Sequence, residues 1–352
     1  MIRPAAALLF VIVMLADCAV AAEQRPAAPK LLTRIAFGSC SSQAKPQPIW
    51  EAINAARPEL FIYLGDNIYA DTADMTVMRE KYDTQLRVPG FAQLRKTTPI
   101  IATWDDHDYG FNDSGAEYSK KAESQKEFLR FMDEPADSPR RKRAGVYDSY
   151  TCGPAGQRVQ VIMLDTRYFR SPLVKINPNA MNSLYKPTTD PTTTVLGEEQ
   201  WKWLEEQLRI PADIRIIGSS IQLVTNDHLW EHWGNFPHER QRFYKLLRDT
   251  KANGVIVISG DRHRAEISRD SAQPLPYTLW DITSSGLNQR SGEENKNERN
   301  RYRVGENYLP HNFGMLLIDW AGNPHPTVMM EIRSVEGEVV LSQKVNVAEL
   351  KP

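Results

Sequence analysis

The chain has 352 residues, 41% of them hydrophobic and 25% charged, with a formal net charge of −1. This is the composition of a folded soluble protein, long enough for one large α/β domain or two ordinary ones. The near-zero charge excludes a global attraction to nucleic acid or anionic membrane, so an anionic substrate would have to be drawn by a local field such as bound cations supply.

In chain order, the first feature is a targeting segment. Arg3 precedes an apolar stretch from Pro4 to Ala16, and Ala19-Val20-Ala21 offers a small-residue cleavage site, which marks residues 1–22 as a signal peptide. The apolar stretch is shorter than the roughly 20 residues of a membrane span. The mature protein is therefore expected to be periplasmic or secreted, with no transmembrane span. Lipoprotein anchoring through Cys18 is the rival reading, and Asp17 fits it badly because small residues usually precede that cysteine. After a Pro/Ala-rich linker (24–30), residues 31–350 are expected to form a single domain. Removing the leader leaves Cys40 and Cys152, which in an oxidising compartment could pair.

From Arg34 to about Gly286, apolar strand-like runs alternate with amphipathic helical stretches. The runs are 34–37, 60–64, 100–104, 161–164 and 255–258. The helices are 49–56, 75–86, 120–132, 198–208 and 239–251. Such alternation predicts a layered α/β architecture. Residues 313–347 instead read as antiparallel strands, with turns at Ala321-Gly322-Asn323-Pro324 and Glu336-Gly337, which could complete a second sheet packed on the first. The basic run Arg140-Arg141-Lys142-Arg143 reads as a solvated loop, since no other basic cluster supports a nucleic-acid patch.

Each of the five apolar runs ends in a residue able to bind metal or move a proton: Cys40, Asp66, Asp105-Asp106-His107-Asp108, Asp165, and Asp261-Arg262-His263. In α/β sheets functional groups gather at the carboxyl ends of strands, so these junctions point to one site. Three carboxylates around one imidazole at 105–108 repel each other unless cations sit among them, and helix capping explains one aspartate, not three. Mainly oxygen donors with one sulfur and one imidazole indicate metal-assisted hydrolysis.

Four motifs, Phe37-Gly38-Ser39-Cys40, Gly65-Asp66-Asn67-Ile68-Tyr69, Trp104-Asp105-Asp106-His107-Asp108 and Ser259-Gly260-Asp261-Arg262-His263, occur in the order found in the alkaline phosphatase D family of calcineurin-like metallophosphoesterases. Leu164-Asp165-Thr166-Arg167 and Trp233-Gly234-Asn235-Phe236-Pro237 look similar too. The resemblance implies an α/β fold, a four-layer αββα sandwich of the metallophosphoesterase type with antiparallel strands at the C-terminus. It implies that Asp66 bridges two cations, that Cys40, Tyr69 and His263 complete a ferric iron site, and that Asp106 and Asp261 hold a calcium or another divalent ion. It makes His107 the general acid and phosphate esters the substrates, attacked by metal-activated hydroxide. Family members often carry a twin-arginine signal and an extra N-terminal β domain. Here only Arg3 precedes the apolar stretch, and Cys40 follows so soon that the extra domain is expected to be absent.

Asn112, Asn226 and His232 are weaker candidates for contacts to substrate or support of the ligands, the last two from the aromatic-rich stretch 226–237. Trp230 in that stretch also motivates an alternative, a phospholipase D-like phosphodiesterase acting on lipid headgroups. A non-catalytic metal or phosphate-binding protein is a third reading, against which His107 speaks. A thiol-phosphatase reading of Cys152 and Arg158 fails because the strand follows the motif instead of preceding it. The sequence carries no mark of oligomeric state.

Overall fold

A computed structural model describes residues 31–179, 184–272 and 275–351, so the expected signal peptide, Cys18 and the linker lie outside the described residues. The first half lays down β1 (Arg34–Gly38), α1 (Ile49–Ala55), β2 (Leu60–Leu64), α2 (Met75–Leu86), α3 (Pro89–Thr97), β3 (Ile100–Thr103), the single turn α4 (Asp106–Tyr109) and α5 (Lys121–Phe131). The second half begins with β4 (Asp148–Cys152), β5 (Val159–Met163), the short pair β6 (Val174–Lys175) and β7 (Tyr185–Lys186), α6 (Gly197–Leu208), β8 (Ile214–Ser219) and α7 (Pro237–Asp249). It ends with β9 (Val255–Ser259), β10 (Ala265–Asp270), β11 (Leu279–Ser284), β12 (Asn312–Asp319), β13 (Thr327–Ser334) and β14 (Val339–Asn346).

Local chemistry sets several boundaries. Asp74 caps α2 by accepting the Thr76 N–H at 2.8 Å. Proline at the first turn starts α3 and α7, where its missing N–H costs nothing. The parallel strands are apolar on both faces because both are covered. Along β1, Ile35 and Phe37 face the opposite sheet while Ala36 faces the helices; along β9, Ile256 and Ile258 face inward and Val255 and Val257 outward. The resulting layers are helices α1, α2, α3 and α5, then the sheet β14-β13-β12-β1-β2-β3, then the sheet β10-β11-β9-β8-β5-β4, then α6 and α7. This is the four-layer αββα sandwich.

The C-terminal strands differ from expectation in where they join. They do not build the second sheet but extend the first, through an antiparallel β12–β1 ladder that pairs Phe37 with Gly314. The physical reason is an open edge: β2 covers one side of β1, and β12 supplies the hydrogen-bond partners for the other. The basic run also differs. Arg140 is buried, donating to the carbonyls of Ala102 (3.2 Å) and Val146 (2.7 Å) and pairing with Glu134 at 3.1 Å, so it staples the segment before β4 to β3. Among the described residues no helix is long and apolar enough to cross a membrane.

A side chain at Gly314 would place its Cβ 2.1 Å from Phe37 Cζ. Gly314→Val is therefore expected to lower stability by about 1–3 kcal/mol, read as a shift of the urea midpoint. An unchanged midpoint would mean that the Phe37 ring does not rest on β12.

Candidate metal centre

The parallel strands of each sheet point the same way, and their carboxyl ends meet where the two sheets face each other. Here the backbone turns sharply at non-glycine residues. Cys40, Asp66, Asp261 and His263 all have left-handed φ, at 63°, 47°, 72° and 54°. Such conformations cost of order 1–3 kcal/mol each and persist where surrounding structure over-determines them. The Cys40 N–H donates to Gly65 O (3.3 Å) and the Ser41 N–H to Asp66 O (3.0 Å), tying two of these turns together. Gly65 itself, at φ 100°, sits where a Cβ would be 2.5 Å from Asp105 Cβ, so only glycine lets the β2 and β3 junctions approach.

Around Asp66 the side chains converge. Its Oδ2 accepts the Cys40 thiol at 3.4 Å and the Tyr69 hydroxyl at 3.2 Å, and the same hydroxyl is 2.9 Å from His263 Nε2. The His107 backbone N–H reaches Asp66 Oδ1 at 3.3 Å and Asp106 Oδ1 at 3.0 Å. Candidate ligand atoms from Cys40, Asp66 and His263 lie within 4.8 Å of one another, as do those of Asp66, Asp106 and His107, and those of Asp105, Asp106 and Asp261. Asp66 and Asp106 thus link neighbouring groups into a chain. These side chains open onto a cavity of about 320 Å³.

The electrostatics are those of crowded acids. Burial, reinforced by Asp106, Asp108 and Asp261, raises the Asp66 carboxyl well above its usual range against the pull of His107. Asp261 is pushed up to about 8 by burial, opposed by Arg262 and aided by Asp106. Burial and then Asp66 raise both the Cys40 thiol and the Tyr69 phenol. Asp106 runs the other way: burial would raise it, but His107, Arg167 and the Asp113 N–H (2.6 Å) together lower it. His263 is held down at about 4, by burial and then by His107 and Arg262, and is the neutral imidazole a metal requires. Asp105 Oδ2 is buried without a hydrogen-bond partner. An orphaned carboxylate oxygen among mutually repelling acids, beside a thiol, a phenol and a neutral imidazole, is a donor set that fits cations.

The sequence-named residues divide. Cys40, Asp66, Tyr69, Asp106, His107, Asp261 and His263 come together. Asn112 is exposed on the cavity wall, bonded to Asp113 Oδ2 at 2.6 Å. Asn226 is exposed beside Gly234. His232 is buried in its own loop, its Nε2 3.0 Å from His228 O. Cys40 and Cys152 are free thiols, unpaired with each other. Asp165 spends both oxygens on the N–H groups of Val146, Arg167 and Tyr168. One participant was not singled out from the sequence, Asp71, 2.7 Å from His107 Nδ1, and two were named only as motif members without these roles: Arg167, which pairs with Asp105 and with Glu231 at 2.6 Å, and Asp108, which accepts the Asp105 N–H at 2.7 Å and the Asn67 N–H at 3.2 Å. Only the neighbouring motif residues hinted at them.

The model of PhoD-like phosphatases matches residues 35–320. The chain belongs to this family. Alkaline phosphatase D of Bacillus subtilis is 24% identical over 257 residues, which are 58% of this chain and 41% of that protein, so the chain spans less than half the length of this curated relative. Among solved structures, one of PhoD superposes with a TM-score of 0.71 at 18% identity, over 93% of this chain and 73% of that one. A dimetal phosphatase from Danio rerio gives 0.56 at 13% identity, over 90% and 99%. At these identities the two structures support the fold.

The raised carboxyls give a pH dependence of stability. Asp66, Asp105, Asp108 (about 7), Asp113 (about 6) and Asp261 (about 8) all titrate higher folded than the ordinary value near 4. The folded chain then binds more protons, so their contribution is fully present below about pH 4 and is lost as pH rises through 6–8. Chelator-treated protein is expected to melt at a higher temperature at pH 5.5 than at pH 8.5, and restoring divalent and ferric ions should raise Tm most at pH 8.5. A chelated protein equally stable at both values would show that the acids are not frustrated.

Proposed function

We propose that this chain is an exported, metal-dependent phosphoesterase, one catalytic unit over residues 31–350, that hydrolyses phosphomonoesters, phosphodiesters or both. The observation that carries it is the chain of ligand groups shared through Asp66 and Asp106 directly beside His107, the arrangement needed to clamp a phosphoryl group and protonate what leaves it. Membership of the family and the fold support the same reading.

Cys40, Asp66, Tyr69 and His263 would hold one cation and Asp66, Asp106 and Asp261 the other, with Asp105 close to the second. Anionic sulfur and phenolate donors suit ferric iron, and a carboxylate set suits a hard ion such as calcium. Such a pair, when bound, neutralises the phosphoryl oxygens and lowers the pKa of a water from about 15.7 towards neutrality. The protein's own part is proton transfer and orientation. Burial works against the charged His107 ring, but Asp106, Asp66 and Asp71 outweigh it and raise the imidazole to about 11, so it carries a proton to give. Cations among the same carboxylates would bring that value down towards the working range. The 2.7 Å contact between Nδ1 and Asp71 and the Tyr69 ring at 4.3 Å fix the imidazole while it lines the cavity.

His107→Ala is expected to slow an alkyl phosphate by ~10²–10⁴-fold and an aryl phosphate with a good leaving group far less; equal losses would remove His107 from the acid role. Asp71→Asn takes a negative charge from beside the imidazolium, so the alkaline limb of the pH–rate profile should move to lower pH. Elemental analysis with a visible spectrum tests the metals, since Tyr69 on ferric iron gives a charge-transfer colour. Absence of chelator-sensitive turnover on a soluble aryl phosphate would leave a non-catalytic metal or phosphate binder.

A second reading, a phospholipase D-like diesterase acting on lipid headgroups, has its own observation. Five large apolar side chains are exposed, Phe111, Ile176, Leu184, Leu229 and Trp230, of which Trp230 lines the cavity. Backbone bonds from Ile176 N to Leu184 O (2.8 Å) and from Tyr185 N to Leu229 O (2.7 Å) join the segments that carry Ile176, Leu184 and Leu229–Trp230. Faster turnover of micellar phosphatidylcholine than of a soluble diester would favour it.

A further inference from the structure

The cavity has two unlike walls. One carries the carboxylates of the candidate metal centre; the other carries Arg262, Arg264 and Arg290. Arg262 and Arg264 are 92% or more buried, and the Nε of each lacks a hydrogen-bond partner. Both guanidiniums share a single carboxylate, Glu298: Arg262 Nη2 lies 3.0 and 3.1 Å from its oxygens and Arg264 Nη2 2.8 Å from one of them. Arg290, exposed on the same wall, makes no ion pair among the described residues. Glu294 also lines the cavity, and Arg262 acts on Asp261 as well as on Glu298, so Arg290 is the guanidinium of the three without an ion-pair partner among the described residues. The side chains are also held in place. The Arg262 guanidinium lies 5.4 Å from the Trp230 ring centroid, and Ser291 ties the Arg290 loop down, its N–H to His263 O at 2.7 Å and its hydroxyl to Arg262 O at 2.9 Å. Burying two like charges against one acid is costly. A further anion would offset that cost.

We infer that Arg262, Arg264 and Arg290 form a second anion subsite, which selects phosphate esters whose leaving group carries another phosphate. The inference rests on the phosphoesterase reading and narrows its substrates. The scissile phosphoryl group sits against the acidic wall with its cations, and the remote phosphate takes Arg290 and the guanidiniums of Arg262 and Arg264 that line the cavity. Held equally in the ground state and the transition state, the remote group lowers KM without raising kcat.

The test compares 1,3-propanediol bisphosphate with propyl phosphate on the metal-loaded protein. The bisphosphate is expected to have a KM lower by at least about tenfold, the scale of one charge-assisted contact, at a similar kcat. Glu298→Gln frees two guanidiniums and should lower the bisphosphate KM further, while Arg290→Ala should raise it severalfold; neither should move the KM of propyl phosphate. Turnover of propyl phosphate without a bisphosphate preference, or a Glu298→Gln protein unchanged on both esters, overturns the subsite and leaves the phosphoesterase reading intact. If neither ester is hydrolysed, that reading fails, and calorimetric titration of the two esters then decides the subsite: equal affinities overturn it.

Discussion

Repulsion among acids is the constraint around which the rest is built. Asp66, Asp105 and Asp106 are buried, Asp261 is half-buried beside them, and a folded chain does not gather such groups without positive charge to match. Part of the match is internal. Arg167, wholly buried, pairs with Asp105 and with Glu231, and Glu231 takes Arg170 at 2.8 Å. Arg167 spends its hydrogen bonds in this network and reaches Asp106 only through space, as Arg262 does Asp261. The left-handed turns at Cys40, Asp66, Asp261 and His263 belong to the same economy, since strained backbone aims ligands that relaxed strand ends would splay apart.

The segment from Asp105 to Asp108 shows how one helical turn separates four tasks. At 3.6 residues per turn, successive side chains leave in different directions. Asp105 turns to Arg167 and to Ser220, whose hydroxyl it accepts at 2.7 Å. Asp106 points to the ligand cluster and His107 to the cavity. Asp108 turns inward, where it binds Asn67 and the Asp105 N–H and so couples the β2 and β3 junctions. The sequence argument that capping explains only one aspartate leaves Asp108 as the structural one, while Asp105 divides its oxygens between Arg167 and the ligand cluster.

What could be read from the sequence follows the range of the interactions. Periodic apolar faces are local, and α2 runs from Met75 to Leu86 as the pattern demands. α3 escaped because Pro89 and Gly90 open it, and β8 because Arg215 interrupts its apolar run; that arginine is buried and donates to the carbonyls of Ile210 and Asn253. The cluster around Asp66 was legible because each ligand follows a strand. The partnerships of Asp71, Arg167 and Glu231 were not, because they span 36, 62 and 64 residues, and the motif that contains Arg167 does not say what it binds. His232, a weaker candidate from the aromatic stretch, has its ring packed against His228 and Gly234.

The two sides of the cluster are held by different means, and the difference follows from strand position. Cys40 leaves β1, which is laddered on both sides by β12 and β2, so its position is set by the sheet itself. Asp106 and His107 leave β3, an edge strand laddered only to β2. What the second ladder would have provided is replaced by side chains. Thr103 donates to Leu164 O of the opposite sheet at 2.8 Å, Asn67 Nδ2 donates to Thr103 O at 2.9 Å, and Arg140 donates to Ala102 O from the open edge. Side-chain bonds are individually weaker constraints than a continuous ladder and open more readily in local fluctuations. His107, the proposed acid, thus follows the edge strand, and Cys40, proposed for the first cation, follows the strand laddered on both sides.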